Sequence, residues 1–150
     1  MSTKVKLHFQ TKIDLEFLAK GVHLRLIRLL GTVHLKTSTG WSPEARVIID
    51  TGNPISLIPH SMWSQAEAQV LIRDKTRLYG LGSDEAAALP GRLGETTLVF
   101  KDRKKNSRPF KLKAHLLDDD SAPFIIGFED ILTIAKLVCN YKSQAAWLEI

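Results

Sequence analysis

Apolar and polar residues alternate with a period of two along most of this chain, and no other feature restricts its fold as strongly. Val5, Leu7 and Phe9 alternate with Lys4, Lys6 and His8. Val22, Leu24 and Leu26 alternate with His23 and Arg25, and Val33 and Leu35 with Thr32, His34 and Lys36. Successive side chains on a strand point to opposite faces, so each segment reads as a half-buried β-strand. Arg46-Val47-Ile48-Ile49 is instead a continuous β-branched run, the pattern of a strand covered on both faces. Further strands are predicted at 71–79, 96–100, 110–117 and 124–126, and a closing pair at 136–141 and 145–150 is joined by Lys142-Ser143-Gln144. Helix is scarce: one short helix is predicted after Pro59, whose fixed φ suits a first helical position, and another over 128–134. The expectation is an all-β chain forming a single domain over residues 1–150, since no repeat and no Pro-, Gly- or Ser-rich linker divides it.

A chain of 150 residues can bury roughly 68–70% of its unfolded surface and needs no covalent staple. Cys139 is the only cysteine, which excludes an intrachain disulfide and suits a reducing, cytoplasmic setting; its place in a predicted C-terminal strand implies a buried, inert thiol. Residues Met1 to Lys6 lack the apolar core of a secretory signal, and Arg25 and Arg28 interrupt the apolar stretch from Val22 to Leu30, far short of the ~20 residues of a membrane span. The net charge of +5 is concentrated between Lys101 and Lys113, where seven basic residues face one acid, Asp102. Asp118-Asp119-Asp120 follows, and Phe110 is the one aromatic in the segment that could stack a base. That distribution describes a solvated hairpin and argues against nucleic-acid binding.

Most of the chemistry-bearing residue types form no site pattern. The five histidines (His8, His23, His34, His60, His115) have neither the i, i+4 spacing of a helical zinc pair nor a neighbouring cysteine pair, so no metal is expected. Three of them occupy polar positions of alternating strands and read as surface residues. There is no Gly-x-Ser-x-Gly elbow and no phosphate-binding loop. Asp50-Thr51-Gly52 stands apart. It ends the Val47-Ile48-Ile49 strand, turns on glycine and returns as Ile55-Ser56-Leu57-Ile58, presenting a carboxylate among backbone donors. On its own the tripeptide also fits an ordinary turn in which Asp50 caps its own backbone.

From Thr32 to Ile150 the chain resembles the retropepsin-like aspartic proteases, through three ordered landmarks. The first is Val47-Ile48-Ile49-Asp50-Thr51-Gly52. The second is Leu78-Tyr79-Gly80-Leu81-Gly82-Ser83 followed by Gly91 to Leu98, similar to the family's flap hairpin and the strand leaving it. The third is Phe124-Ile125-Ile126-Gly127-Phe128, similar to its apolar-apolar-Gly motif before a short helix. The resemblance implies a flattened closed barrel with a flap hairpin and one or two short helices. It implies an aspartic endopeptidase acting on extended polypeptides, with Asp50 catalytic and Thr51 and Gly52 in the active-site loop. Tyr79, Gly80, Leu81, Gly82 and Ser83 would close over substrate, and Ile126 and Gly127 would support the site. The chemistry requires two carboxylates sharing a proton and no cofactor or metal. The sequence holds a single Asp-Thr-Gly, so the second must come from a homodimer partner.

Departures from the family pattern are specific. Asn53-Pro54 follows the motif where viral members usually carry Ala, placing the chain closer to cellular and bacterial members. Phe128 stands where viral members commonly place an arginine that braces the dimer. These departures motivate the alternative of a catalytically weak or inactive peptide-binding or dimerisation module on the same fold. Residues 1–30 precede the resemblance and read as an outer strand pair, or else as an arm. The last hairpin could join its own sheet or the partner's.

Overall fold

In a computed structural model, residues 2–78 and 88–150 are described. The chain is mainly β. In order, the strands are β1 (Lys4–Lys6), β2 (His8–Ile13), β3 (Arg25–Thr37), β4 (Gly40–Trp41), β5 (Ala45–Ile49), β6 (Ser56–Ile58), β7 (Gln69–Val70), β8 (Thr76–Leu78), β9 (Leu89–Phe100), β10 (Phe110–Leu117), β11 (Ile125–Ile126), β12 (Lys136–Asn140) and β13 (Ala145–Glu149). Among the described residues, helix is limited to α1 (Leu15–Ala19), α2 (His60–Trp63) and a kinked turn, Phe128–Leu132. No helix among the described residues is long and apolar enough to cross a membrane.

Six strands close on one another in the order β3-β5-β11-β6-β10-β9, and β9 returns to β3 through Val33↔Phe100 and Leu35↔Leu98. Inward residues of this ring, among them Val33, Val47, Ile49, Ile58, Leu98, Phe100, Leu112 and Ile126, form one core. A separate sheet of order β1-β13-β12 lays Val5, Ala146, Leu148 and Ile150 into the same core. Each fully buried aliphatic or aromatic side chain there contributes about 1.5–3 kcal/mol. The C-terminal hairpin thus joins its own chain's sheet, with Val5↔Leu148 and Leu137↔Leu148 placing β13 in the middle.

A polar contact joins the N-terminal strand to the chain leaving β9. The Lys6 N–H donates to Asp102 Oδ1 at 3.0 Å, and this bond, ahead of those from Lys104 and Arg103, holds the Asp102 carboxyl below its ordinary value of 3.8. A carboxylate with a depressed folded-state pKa adds stability above its unfolded pKa and loses it as pH falls through the folded value. Asp102→Asn should therefore lower the melting temperature at neutral pH, and thermal melts across pH should show the gap to wild type closing below pH 3.8.

Several elements differ from the sequence expectation for local reasons. Of the strand predicted at 71–79, residues 71–75 are not strand and Thr76–Leu78 form β8, which, like the two-residue β7 just before the segment, pairs with β9. The helix after Pro59 ends at Trp63. Leu15–Ala19 is helical where alternation suggested extended chain, because Asp14 Oδ1 caps the Phe17 N–H at 3.0 Å. His115, which belongs to no site pattern in the sequence, is buried, its Nε2 lying 3.0 Å from the Leu89 carbonyl oxygen and its Nδ1 3.3 Å from Thr76 Oγ1. Cys139 is exposed, since β12 is an edge strand.

The basic segment is the connection of the β9–β10 hairpin, as its charge pattern suggested. Lys101, Lys111 and Lys113 pair with Glu44, Glu95 and Asp130, and Arg108 lies 4.5 Å over the Phe110 ring. Phe110 is buried and offers no face for stacking a base.

Candidate active site

Asp50 sits where β5 ends, half-buried, with Thr51 and Gly52 exposed beyond it. The local turn is self-capped: Gly52 N–H donates to Asp50 Oδ1 at 2.9 Å and Asn53 N–H to the Asp50 carbonyl oxygen at 3.3 Å. An ordinary turn would do as much. The difference lies in the strand order, because β6 does not return beside β5. β11 is inserted between them, parallel to β5 through Ile48↔Ile125 and Ile49↔Ile126 and antiparallel to β6 through Ile125↔Leu57. The loop is therefore slung across the end of β11 and bonded to the chain emerging from it.

Those bonds are specific. Asp50 N–H donates to the Ile126 carbonyl oxygen at 3.0 Å, Phe128 N–H to Asn53 at 2.9 Å and Glu129 N–H to Pro54 at 3.2 Å. Gly127 N–H donates to Ser56 Oγ, a fully buried hydroxyl, at 2.9 Å. Gly127 has φ −94, which any residue tolerates, so the demand for glycine is one of space. A Cβ there would lie 2.6 Å from the Asn53 carbonyl oxygen and 2.7 Å from Ile55 backbone atoms. Ile126, fully buried, and Gly127 thus lie against the loop from beneath.

The sequence reading missed two contributors. Ser56 interrupts an apolar run, and a lone hydroxyl in a buried strand signals a partner that must satisfy it. Asp130 adopts φ +68, which breaks the expected helix at 128–134, and its carboxylate accepts from Lys113 N–H at 2.7 Å and Lys113 Nζ at 2.9 Å. That bond, first among the causes, raises the Lys113 ammonium above 10.5. It anchors the turn, and with it Asn53 and Pro54, to β10. Asp130→Asn should lower stability in a denaturant titration, through loss of the charge that assists the bonds to Lys113.

Other carboxylates have local duties. Asp120 Oδ1 accepts the Ser61 N–H at 2.8 Å at the start of α2, Asp118 pairs with Lys75 at 3.0 Å, and Asp119 is held below 3.8 by Ser121 through its hydroxyl and then its N–H. Tyr79, Gly80, Leu81, Gly82 and Ser83 lie outside the described residues. The strands that bracket them, β8 and β9, are antiparallel, with Thr76↔Gly91 and Leu78↔Leu89 in register.

Along the outer face of β5 runs a cavity of about 360 Å³, with Leu30, Ile48, Met62, Pro123 and Phe124 among its apolar lining and Arg46 also on its wall. Ile48 lies on β5, two residues before Asp50. No group of three or more His, Cys, Asp or Glu side chains is gathered for a metal among the described residues. Compared with known proteins, the chain matches no family model, no curated protein and no solved structure.

Proposed function

We propose that this chain is half of a retropepsin-like aspartic endopeptidase, with Asp50 from each of two copies forming a water-activating dyad. The observation that carries the reading is the Asp50 loop itself. Its base is over-determined by four hydrogen bonds to β11 and the chain leaving it, while Thr51 and Gly52 remain exposed for a second copy to meet. One ionised Asp50 takes a proton from water, whose oxygen attacks the peptide carbonyl carbon. The protonated partner hydrogen-bonds the carbonyl oxygen as it gains charge, and the amine leaves with a proton as the C–N bond breaks. Carboxylates in contact cannot both ionise easily, so turnover should favour acidic over neutral pH. The apolar cavity beside Ile48 fits an apolar substrate side chain near the cut.

Phe128 supports a second reading. The residue is 44% exposed beside the loop, which suits a binding or dimerisation module without turnover. Mixing separates the two. Adding Asp50→Asn protein to a fixed amount of wild type should suppress cleavage of a peptide library as mixed dimers form. Unchanged cleavage would mean that one chain suffices and the dyad is wrong; a stable dimer that never cleaves would favour the module.

A further inference from the structure

We propose that the β2–β3 ribbon is a clasp that holds the second copy of this chain against the Asp50 loop. The proposal rests on the two-chain reading of that site. β3 has 13 residues, but its pairing with β5 begins at Leu29↔Ile49, the last position before Asp50. From Arg28 back to Arg25 it pairs with β2, ending at Ile13↔Arg25. The ribbon therefore continues about 13 Å past the strand end that carries the catalytic loop, one strand spacing of about 4.8 Å to its side. A copy approaching Asp50 closely enough for two carboxylates to touch must lie alongside it.

The overhang is built for contact. Val22, Leu24, Leu26 and Ile27 are each at least 41% exposed, and Phe17 and Leu18 of α1 extend the apolar surface at its tip. A two-stranded ribbon is marginal alone. This one is fixed by Tyr141, which stacks edge-on to Phe9 at 5.2 Å, bonds Thr11 Oγ1 at 2.9 Å and lies 5.3 Å beneath the Arg25 guanidinium. On the far side of β5, beyond β11, Phe128 continues the exposed apolar surface, and its N–H is bonded to Asn53 of the loop. Apolar side chains thus flank the exposed Thr51 and Gly52 on both sides. That is the surface an isologous pair needs, each ribbon lying on the other copy.

Leu24→Lys with Leu26→Lys adds charge to a ribbon already bearing Lys12, Arg25 and Arg28, without touching the core. In sedimentation, the double variant should raise the dimer dissociation constant about 100-fold and keep the wild-type melting profile as monomer. Cleavage should fall with it at low concentration and recover as protein is added. Hydrogen exchange of wild type should show amides 22–28 protected as concentration rises. Dimerisation unchanged in the variant, or protection that follows added peptide rather than protein concentration, overturns the clasp while leaving the dyad standing. Cleavage by a wild type that stays monomeric overturns both.

Discussion

Asp50→Asn should reduce peptide hydrolysis by about 10⁴-fold or more while the protein still folds and dimerises. The amide keeps an oxygen at the position that accepts the Gly52 N–H, so the turn retains its 2.9 Å bond and the loop its shape. What is lost is the capacity to take and return a proton. An asparagine in each copy leaves no group in the dyad able to ionise, and one in a single copy breaks the shared-proton arrangement. The expected stability change is within about 0.5 kcal/mol, as for a half-exposed polar substitution that keeps its acceptor. Cleavage of a peptide library read by mass spectrometry, with thermal melts in parallel, makes the comparison. Equal cleavage by both proteins removes Asp50 from the mechanism.

Gly127→Ala has a different and larger structural effect. Its Cβ would stand 2.6 Å from the Asn53 carbonyl oxygen, and that neighbour is backbone, so no side chain can swing aside to make room. Overpacking against backbone costs about 3 kcal/mol, a melting-temperature drop of roughly 10 °C for a chain of this size. The atoms pushed are those of Asn53 and Ile55, three to five residues from Asp50. A shift of about 1 Å in a reacting group can cost 10²-fold in rate, so the folded fraction should also be impaired. Activity normalised to folded protein below the new melting temperature tests this. A variant as stable and active as wild type would mean the loop is not held as described.

The two variants fail for reasons of unequal visibility. Asp50 was legible because its tripeptide, the β-branched strand before it and the apolar run after it are contiguous in the chain. Gly127 was legible only as a member of a motif, and the reason for glycine is a carbonyl 74 residues earlier in sequence. Ser56 left a faint trace as a hydroxyl in an apolar run. Asp130 left none: a carboxylate after Phe128-Glu129 reads as a helical surface residue, until the Lys113 backbone two strands away gives it a partner and stabilises φ +68.

The β content and most strand positions follow from alternation, because a period of two on a pleated backbone allows one face to be buried and little else. From the sequence alone come an all-β chain, a single Asp-Thr-Gly at a strand end, and a positive excess concentrated in one hairpin. Which strands are neighbours was set by tertiary structure. Nothing in Ile125-Ile126 announces that it will slide between β5 and β6, since the hydrogen bonds that put it there join residues about 75 apart. The same holds for the ribbon. Leu24 and Leu26 read as the buried face of a strand, and only the register of β3, which runs past Ile49 with β2 as its one partner there among the described residues, leaves Leu26 exposed.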